Sequence, residues 1–175
     1  MDQRIARIER RIRDVVDFPK PGIVFKDWMP MLGDPEALRD AVALLAEPFR
    51  DEGIDHVVGM EARGFLLGVP LALELSAGFV PVRKPGKLPS ETHTVDYELE
   101  YGSDTLEMHT DAVKAGQRVL IVDDLLATGG TAGATVKLVE HSQGEVVACA
   151  FLIELDFLSG RENLPAGRVH SVLHY

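Results

Sequence analysis

The sequence predicts an α/β protein: an open, mainly parallel sheet flanked by helices, with one loop-and-hairpin excursion. Three observations carry this. Short apolar runs alternate with amphipathic helical stretches along most of the chain. Two of those runs, "VLIV" at 119–122 and "EVVACAFLI" at 145–153, are almost wholly apolar, as strands buried on both faces require. The length of 175 residues, with 46% hydrophobic and 26% charged residues, suits one soluble domain with a full core. No repeat, low-complexity tract or linker interrupts it, so 1–175 is expected to be a single domain.

Taken in order, Ile5, Ile8, Ile12 and Val15 recur at helical spacing with arginines on the other faces, which predicts a helix across the first sixteen residues. It lacks the uninterrupted apolar stretch of a signal peptide. Asp34 followed by Pro35 is a helix start, and the helix is expected to end near Gly53. "HVVGM" (56–60) reads as a strand, 64–75 as a helix tolerating a glycine, and "GFVPV" (78–82) as the next strand. The alternation then breaks. Residues 83–109 begin with prolines and glycine and turn to a period of two interrupted by "YGSD", predicting a mobile loop at 83–91 and then a β-hairpin. After the 119–122 strand comes a helix from Gly130 to His141, and after that the 145–153 strand.

The formal net charge of −10 argues against nucleic acid or membrane as partner, since both call for a basic surface. A single cysteine, Cys149, lies inside an apolar run and reads as a buried, inert thiol; no internal disulfide is possible, which fits the cytoplasm. The six histidines, at 56, 93, 109, 141, 170 and 174, show no metal-binding spacing and are expected on surfaces and strand edges.

Chemistry concentrates in "VLIVDDLLATGGT". A strand followed by a Gly/Thr turn and a helix places that turn at the carboxyl edge of the sheet, where open α/β sheets bind ligands. Backbone amides of Ala127, Thr128, Gly129, Gly130 and Thr131, beside a helix N-terminus, suit a phosphate monoester. The loop is not a Walker A motif, because both its lysine and its spacing are missing. Asp123 and Asp124 lie about one sugar away; they suit the vicinal hydroxyls of a ribose, with magnesium ligation as the rival role. Arg83, Lys84 and Lys87 crowd one proline-flanked loop of an acidic chain, which is either a solvated surface or an anion site.

These residues resemble the phosphoribosyl-diphosphate (PRPP) motif of type I phosphoribosyltransferases. "DFPKPGIVFKD", "GMEARGFLLG", "VPVRKPGKLP" and "YELEYGSDTLEMH" are similar, in order, to segments of the adenine phosphoribosyltransferase group. The resemblance implies a Rossmann-like sheet with a small hood at about 1–34 and a flexible loop and hairpin at about 83–109. It implies the conversion of adenine and PRPP to AMP and pyrophosphate, with Mg2+ arriving on PRPP rather than in a protein cage. Glu100 matches the catalytic glutamate. Arg63, Arg83, Lys84, Lys87 and Tyr101 match pyrophosphate-side positions, and Val24, Phe25, Lys26 and Leu125 the adenine contacts. The position of Arg83 implies a homodimer, and the "EARG" turn an unusual backbone, such as a cis bond. Lys26 and Trp28 depart from the usual residues of the group. The alternatives of the same fold are a transferase for another nucleobase and a PRPP-sensing regulator, which would need a DNA-binding element or a basic RNA face.

Overall fold

The structure is a computed structural model that describes residues 2–98, 103–164 and 168–175. The chain forms two compact units, Met1–Leu44 and Leu45–Tyr175.

In the first unit, helix α1 (Gln3–Glu9) opens on Asp2, whose carboxylate accepts from the Arg4 amide at 2.9 Å. The helix is shorter than its isoleucine spacing predicts. Strand β1 (Arg13–Val16) takes over and pairs antiparallel with β2 (Val24–Asp27). Asp14 faces Lys26 across the ladder and Arg13 faces Asp27, and both couples are ion pairs. Opposite charges directly across a ladder, with β-branched Val15 and Val16, favour the strand over a further helical turn. A short helix α2 (Met29–Leu32) follows, with the Trp28 side chain before it fully buried. Helix α3 (Pro35–Ala46) starts as expected: Asp34 Oδ1 accepts from the amides of Glu36 and Ala37 at 3.0 and 3.2 Å. It stops at Ala46, short of Gly53, because Pro48 has no N–H to donate and the chain tightens into a 3-10 turn at Glu47–Phe49.

The second unit holds the sheet. Strand β3 (His56–Met60), helix α4 (Arg63–Glu74) and strand β4 (Gly78–Val82) make one βαβ unit; strand β7 (Arg118–Leu126), helix α5 (Gly130–His141) and strand β8 (Glu145–Glu154) make another. Strand β9 (Val169–His174) completes a five-stranded parallel sheet in the order β4-β3-β7-β8-β9. Sequence periodicity misses β9, because His170, Ser171 and His174 dilute its apolar pattern; parallel pairing with β8 makes it a strand. The antiparallel hairpin β5 (Thr92–Glu98) and β6 (Ser103–His109) stands apart from the sheet, as the alternating pattern predicts. Val119 to Val122 and Ala150 to Ile153 are almost wholly inaccessible, the burial on both faces expected of central parallel strands. Cys149 lies among them, and burial pushes its thiol up to about 12, so it is a packing residue.

The strand order also positions the site. From β3 the winding runs outward to β4, whereas from β7 it runs the opposite way to β8 and β9. The reversal lies between β3 and β7, and a crevice opens beside the carboxyl ends of strands at such a switch point.

Candidate active site

Pairing of β3 with β7 ends at Gly59 and Val122, but β7 continues beside β8 as far as Leu126 opposite Glu154. Asp123 and Asp124 therefore lie within a strand, rather than beyond its end as the short apolar run suggests, on the stretch where β7 has outrun β3. Asp124 is 2% exposed, and its carboxylate pairs with Arg63 Nε at 3.0 Å. Asp123 Oδ1 accepts from the Asp124 amide at 2.9 Å. Burial, and then the adjoining Asp124 charge, hold the Asp123 carboxyl well above the ordinary carboxylate range. Gly64, in the first turn of α4, permits this approach: a Cβ there would lie 3.0 Å from Asp123 Oδ1 and 3.1 Å from the Val122 carbonyl.

Beyond β7 the chain turns through Ala127 and Thr128 to Gly129, which has φ +83° and starts α5. The first helical bond is Gly133 N–H to the Gly129 carbonyl at 2.8 Å, so the amides of Gly130, Thr131 and Ala132 have no partner within the helix. Their N–H groups and the positive helix end together favour an anion. The end of β5 comes alongside: a Cβ on Gly130 would lie 3.6 Å from the Glu98 carbonyl and from the Tyr97 ring. A cleft of about 1410 Å³ is lined by Tyr97, Glu98, Thr128, Gly129, Gly130 and Asn163, among others. Glu100 and Tyr101 lie outside the described residues.

The basic residues gather at the same edge of the sheet. Arg63 follows β3, with the Glu61–Ala62 peptide bond cis, and Arg83 follows β4. Sequence reasoning missed their acidic partners. Glu61 Oε2 accepts from Arg83 Nε at 3.0 Å and from the Lys84 amide at 2.9 Å, while the Lys84 ammonium pairs with Asp104. Lys87 is exposed, and its carbonyl accepts from the Arg83 guanidinium at 3.3 Å. Glu107 Oε2 accepts from the Gly86 amide at 3.1 Å, and the Glu107 backbone pairs with that of Arg83.

The expected base contacts sit on two strands. On β2, Val24 is exposed, Phe25 packs edge-on against Phe18 at 5.3 Å, and Lys26 pairs with Asp14 at 2.7 Å. Leu125 is half-buried on β7.

A further group escaped notice because the polar "SGREN" stretch carries no periodicity. Asn163 Nδ2 donates to the Thr128 carbonyl at 2.8 Å, and Gly160 abuts Ala127 and Gly129. Arg161 in the same turn pairs with Glu154, which is 2% exposed.

Residues 31–166 match the model of the phosphoribosyl transferase domain. The adenine phosphoribosyltransferase of Methylococcus capsulatus is 59% identical over 97% of this chain and 99% of its own length. That of Nitrosococcus oceani is 56% identical over 98% and 100%. The crystal structure of the Rhodothermus marinus adenine phosphoribosyltransferase superposes with a TM-score of 0.94 at 57% identity, covering 100% of both chains. The Saccharomyces cerevisiae enzyme, solved with an imino-altritol bisphosphate and adenine, gives 0.94 at 42% identity over 99% of this chain and 100% of its own. The chain belongs to the phosphoribosyltransferase family and, within it, to the adenine phosphoribosyltransferases.

Proposed function

We propose that this protein joins adenine to the ribose of PRPP, forming AMP and releasing pyrophosphate. The observation that carries this reading is the run of an acidic doublet, Asp124 buried and Asp123 half-buried, into an amide-lined turn at the winding switch of the sheet. A phosphate monoester on the 127–131 turn leaves its ribose hydroxyls near Asp123 and Asp124. The two carboxyl groups stand side by side on one strand, so the pair can satisfy a vicinal diol.

In the reaction a purine nitrogen forms a bond to the anomeric carbon while that carbon's bond to the pyrophosphate oxygen breaks, with inversion. The leaving group carries away negative charge, and the carbon passes through a cationic state. Arg63, Arg83, Lys84 and Lys87, with Tyr101, are assigned to the pyrophosphate; the first three exchange their present carboxylate partners for it at little net cost in charge. Glu100 is assigned to the purine proton or to the ribose cation. Val24, Phe25, Lys26 and Leu125 are assigned to adenine. A metal would sit poorly in a protein cage here, since Arg63 already pairs with Asp124 and burial disfavours the charged form of Asp123. The residues fit Mg2+ delivered on PRPP, where it would neutralise the diphosphate oxygens.

Homodimeric assembly is also proposed. Leu66, Val69 and Leu73 form an exposed apolar stripe at spacings of three and four on α4, a pattern of a helix that packs on a partner. A monomer mass by analytical ultracentrifugation would remove it. No helix among the described residues is long and apolar enough to cross a membrane, and cytoplasmic placement is proposed with it.

The direct test offers purified protein PRPP and magnesium with adenine, then with each other nucleobase. AMP from adenine alone is the expected result; turnover on another base, or PRPP binding with no turnover, overturns the assignment. Glu100→Gln is expected to lower turnover by about two orders of magnitude, and an unchanged rate would take Glu100 out of the chemistry.

A further inference from the structure

We infer that the turn Gly160–Asn163 sets the conformation of the phosphate-binding loop, with Asn163 and Gly160 as its positioning residues. The inference rests on the phosphate reading of residues 127–131 and extends it to a segment that does not touch the phosphate.

An anion site built from backbone needs N–H groups facing the ligand and carbonyls facing away, because each carbonyl oxygen repels an anion as strongly as an amide attracts it. Two carbonyls of this loop face the Gly160–Asn163 turn. The Thr128 carbonyl accepts from Asn163 Nδ2 at 2.8 Å. The Ala127 carbonyl lies so near that a Cβ on Gly160 would come within 2.1 Å of its oxygen. In a planar trans peptide the C=O and the following N–H point in opposite directions. Holding the Thr128 carbonyl on Asn163 therefore aims the Gly129 N–H away from the turn. The reverse contact is equally close: a Cβ on Gly129 would lie 2.4 Å from the Gly160 carbonyl. Both are backbone-on-backbone approaches, which no side-chain rotation relieves.

The turn is itself fixed. Arg161 Nε donates to Glu154 Oε1 at 2.6 Å, the guanidinium reaches Oε2 as well, and the Ser171 hydroxyl donates to Oε2 at 2.6 Å. Glu154 ends β8 as the register partner of Leu126, the residue just before the loop. Leu164, the next residue after the turn, is buried in the hydrophobic core. The loop is thus clamped to the sheet by a second route, independent of its own helix.

The test uses 15N-labelled full-length protein titrated with ribose 5-phosphate, following the amides of Gly129, Gly130 and Thr131, alongside steady-state kinetics. Asn163→Leu keeps the bulk and removes the donor; it should weaken ribose 5-phosphate and raise KM for PRPP by roughly three- to tenfold. KM for adenine and the melting temperature should stay at wild-type values, and Asn163→Gln should recover part of the loss. Gly160→Ala should weaken the ligand by roughly tenfold or more. Because Asn163 is exposed, Asn163→Leu keeps the question answerable should Gly160→Ala fail to fold. Wild-type amides that shift, with equal affinity in Asn163→Leu, overturn the positioning role and leave the phosphate reading standing. Wild-type amides that do not respond overturn both.

Discussion

The carboxyl ends of β7 and β8 are neighbours in one sheet, and both carry buried carboxylates, yet they are finished differently. Glu154 on β8 has an arginine fork and a serine hydroxyl on its two oxygens, and the Arg161 hydrogen bonds hold its carboxyl below the ordinary range. Asp123 on β7 has one amide and a second carboxylate beside it, and its carboxyl is held above that range. A buried charge with both oxygens hydrogen-bonded is scaffold. A half-buried acid left short of partners is destabilising by itself, and such a feature marks where a ligand completes the set. The grouping of Glu154, Asp156 and His174 within 4.8 Å belongs to the first kind, since Arg161 and Ser171 already occupy Glu154.

The largest effect that could break this contrast is on activity. Replacing both Asp123 and Asp124 with Asn should lower kcat/KM for PRPP by about a hundredfold or more, from charge-assisted hydrogen bonds of about 1.5–3 kcal/mol each. Asp123→Asn alone, which leaves the Arg63–Asp124 ion pair in place, should fold at least as firmly as wild type in thermal melts. A single variant that loses stability, with a double variant that keeps activity, would invert the two roles. Next comes Glu154→Gln, which removes the buried anion from the exposed Arg161 fork. It should cost about 2 kcal/mol, or roughly 4–8 °C in melting temperature for a chain of this size. Its effect on KM for PRPP, transmitted only through the Gly160–Asn163 turn, should stay within a few-fold.

The smallest effect, and the sharpest in sign, is on pH. Glu154 has a lowered folded pKa, so its contribution is present above the unfolded value of about 4.3 and is lost as pH falls through the lower folded value. Asp123 has a raised folded pKa. The folded state keeps a proton that the unfolded state gives up, and stability declines as pH rises from about 3.9 to the raised value. Melting curves against pH should therefore lose their acid-side fall in Glu154→Gln and their decline above about pH 4 in Asp123→Asn. Matching slopes in both variants would mean that the two acids do not differ.

Legibility divides along the same line. The parallel strands and the phosphate turn were readable because burial on both faces and the Thr/Gly run leave local marks at 119–131. The Asp34 cap was readable for the same reason. The first helix was overextended because isoleucine spacing at 5, 8 and 12 carries no sign of a strand partner, whereas pairing of 13–16 with 24–27 is a contact between distant residues. Arg83 and Lys84 announced an anion, but their partners Glu61 and Asp104 lie about twenty positions away, and no period links them. Strand β9 and the "SGREN" turn went unread for a similar reason. Their roles come from what they touch.

By itself, then, the sequence determined the alternation of elements, the amide-rich turn and the acidic doublet, all consequences of neighbours within a few residues. Tertiary structure alone decided that β7 outruns β3, that Asp123 lies against Gly64, and that the phosphate loop leans on a turn thirty-odd residues downstream. The physical reason is that side-chain type sets local backbone preference, whereas burial and partner choice exist only once distant strands have found their register.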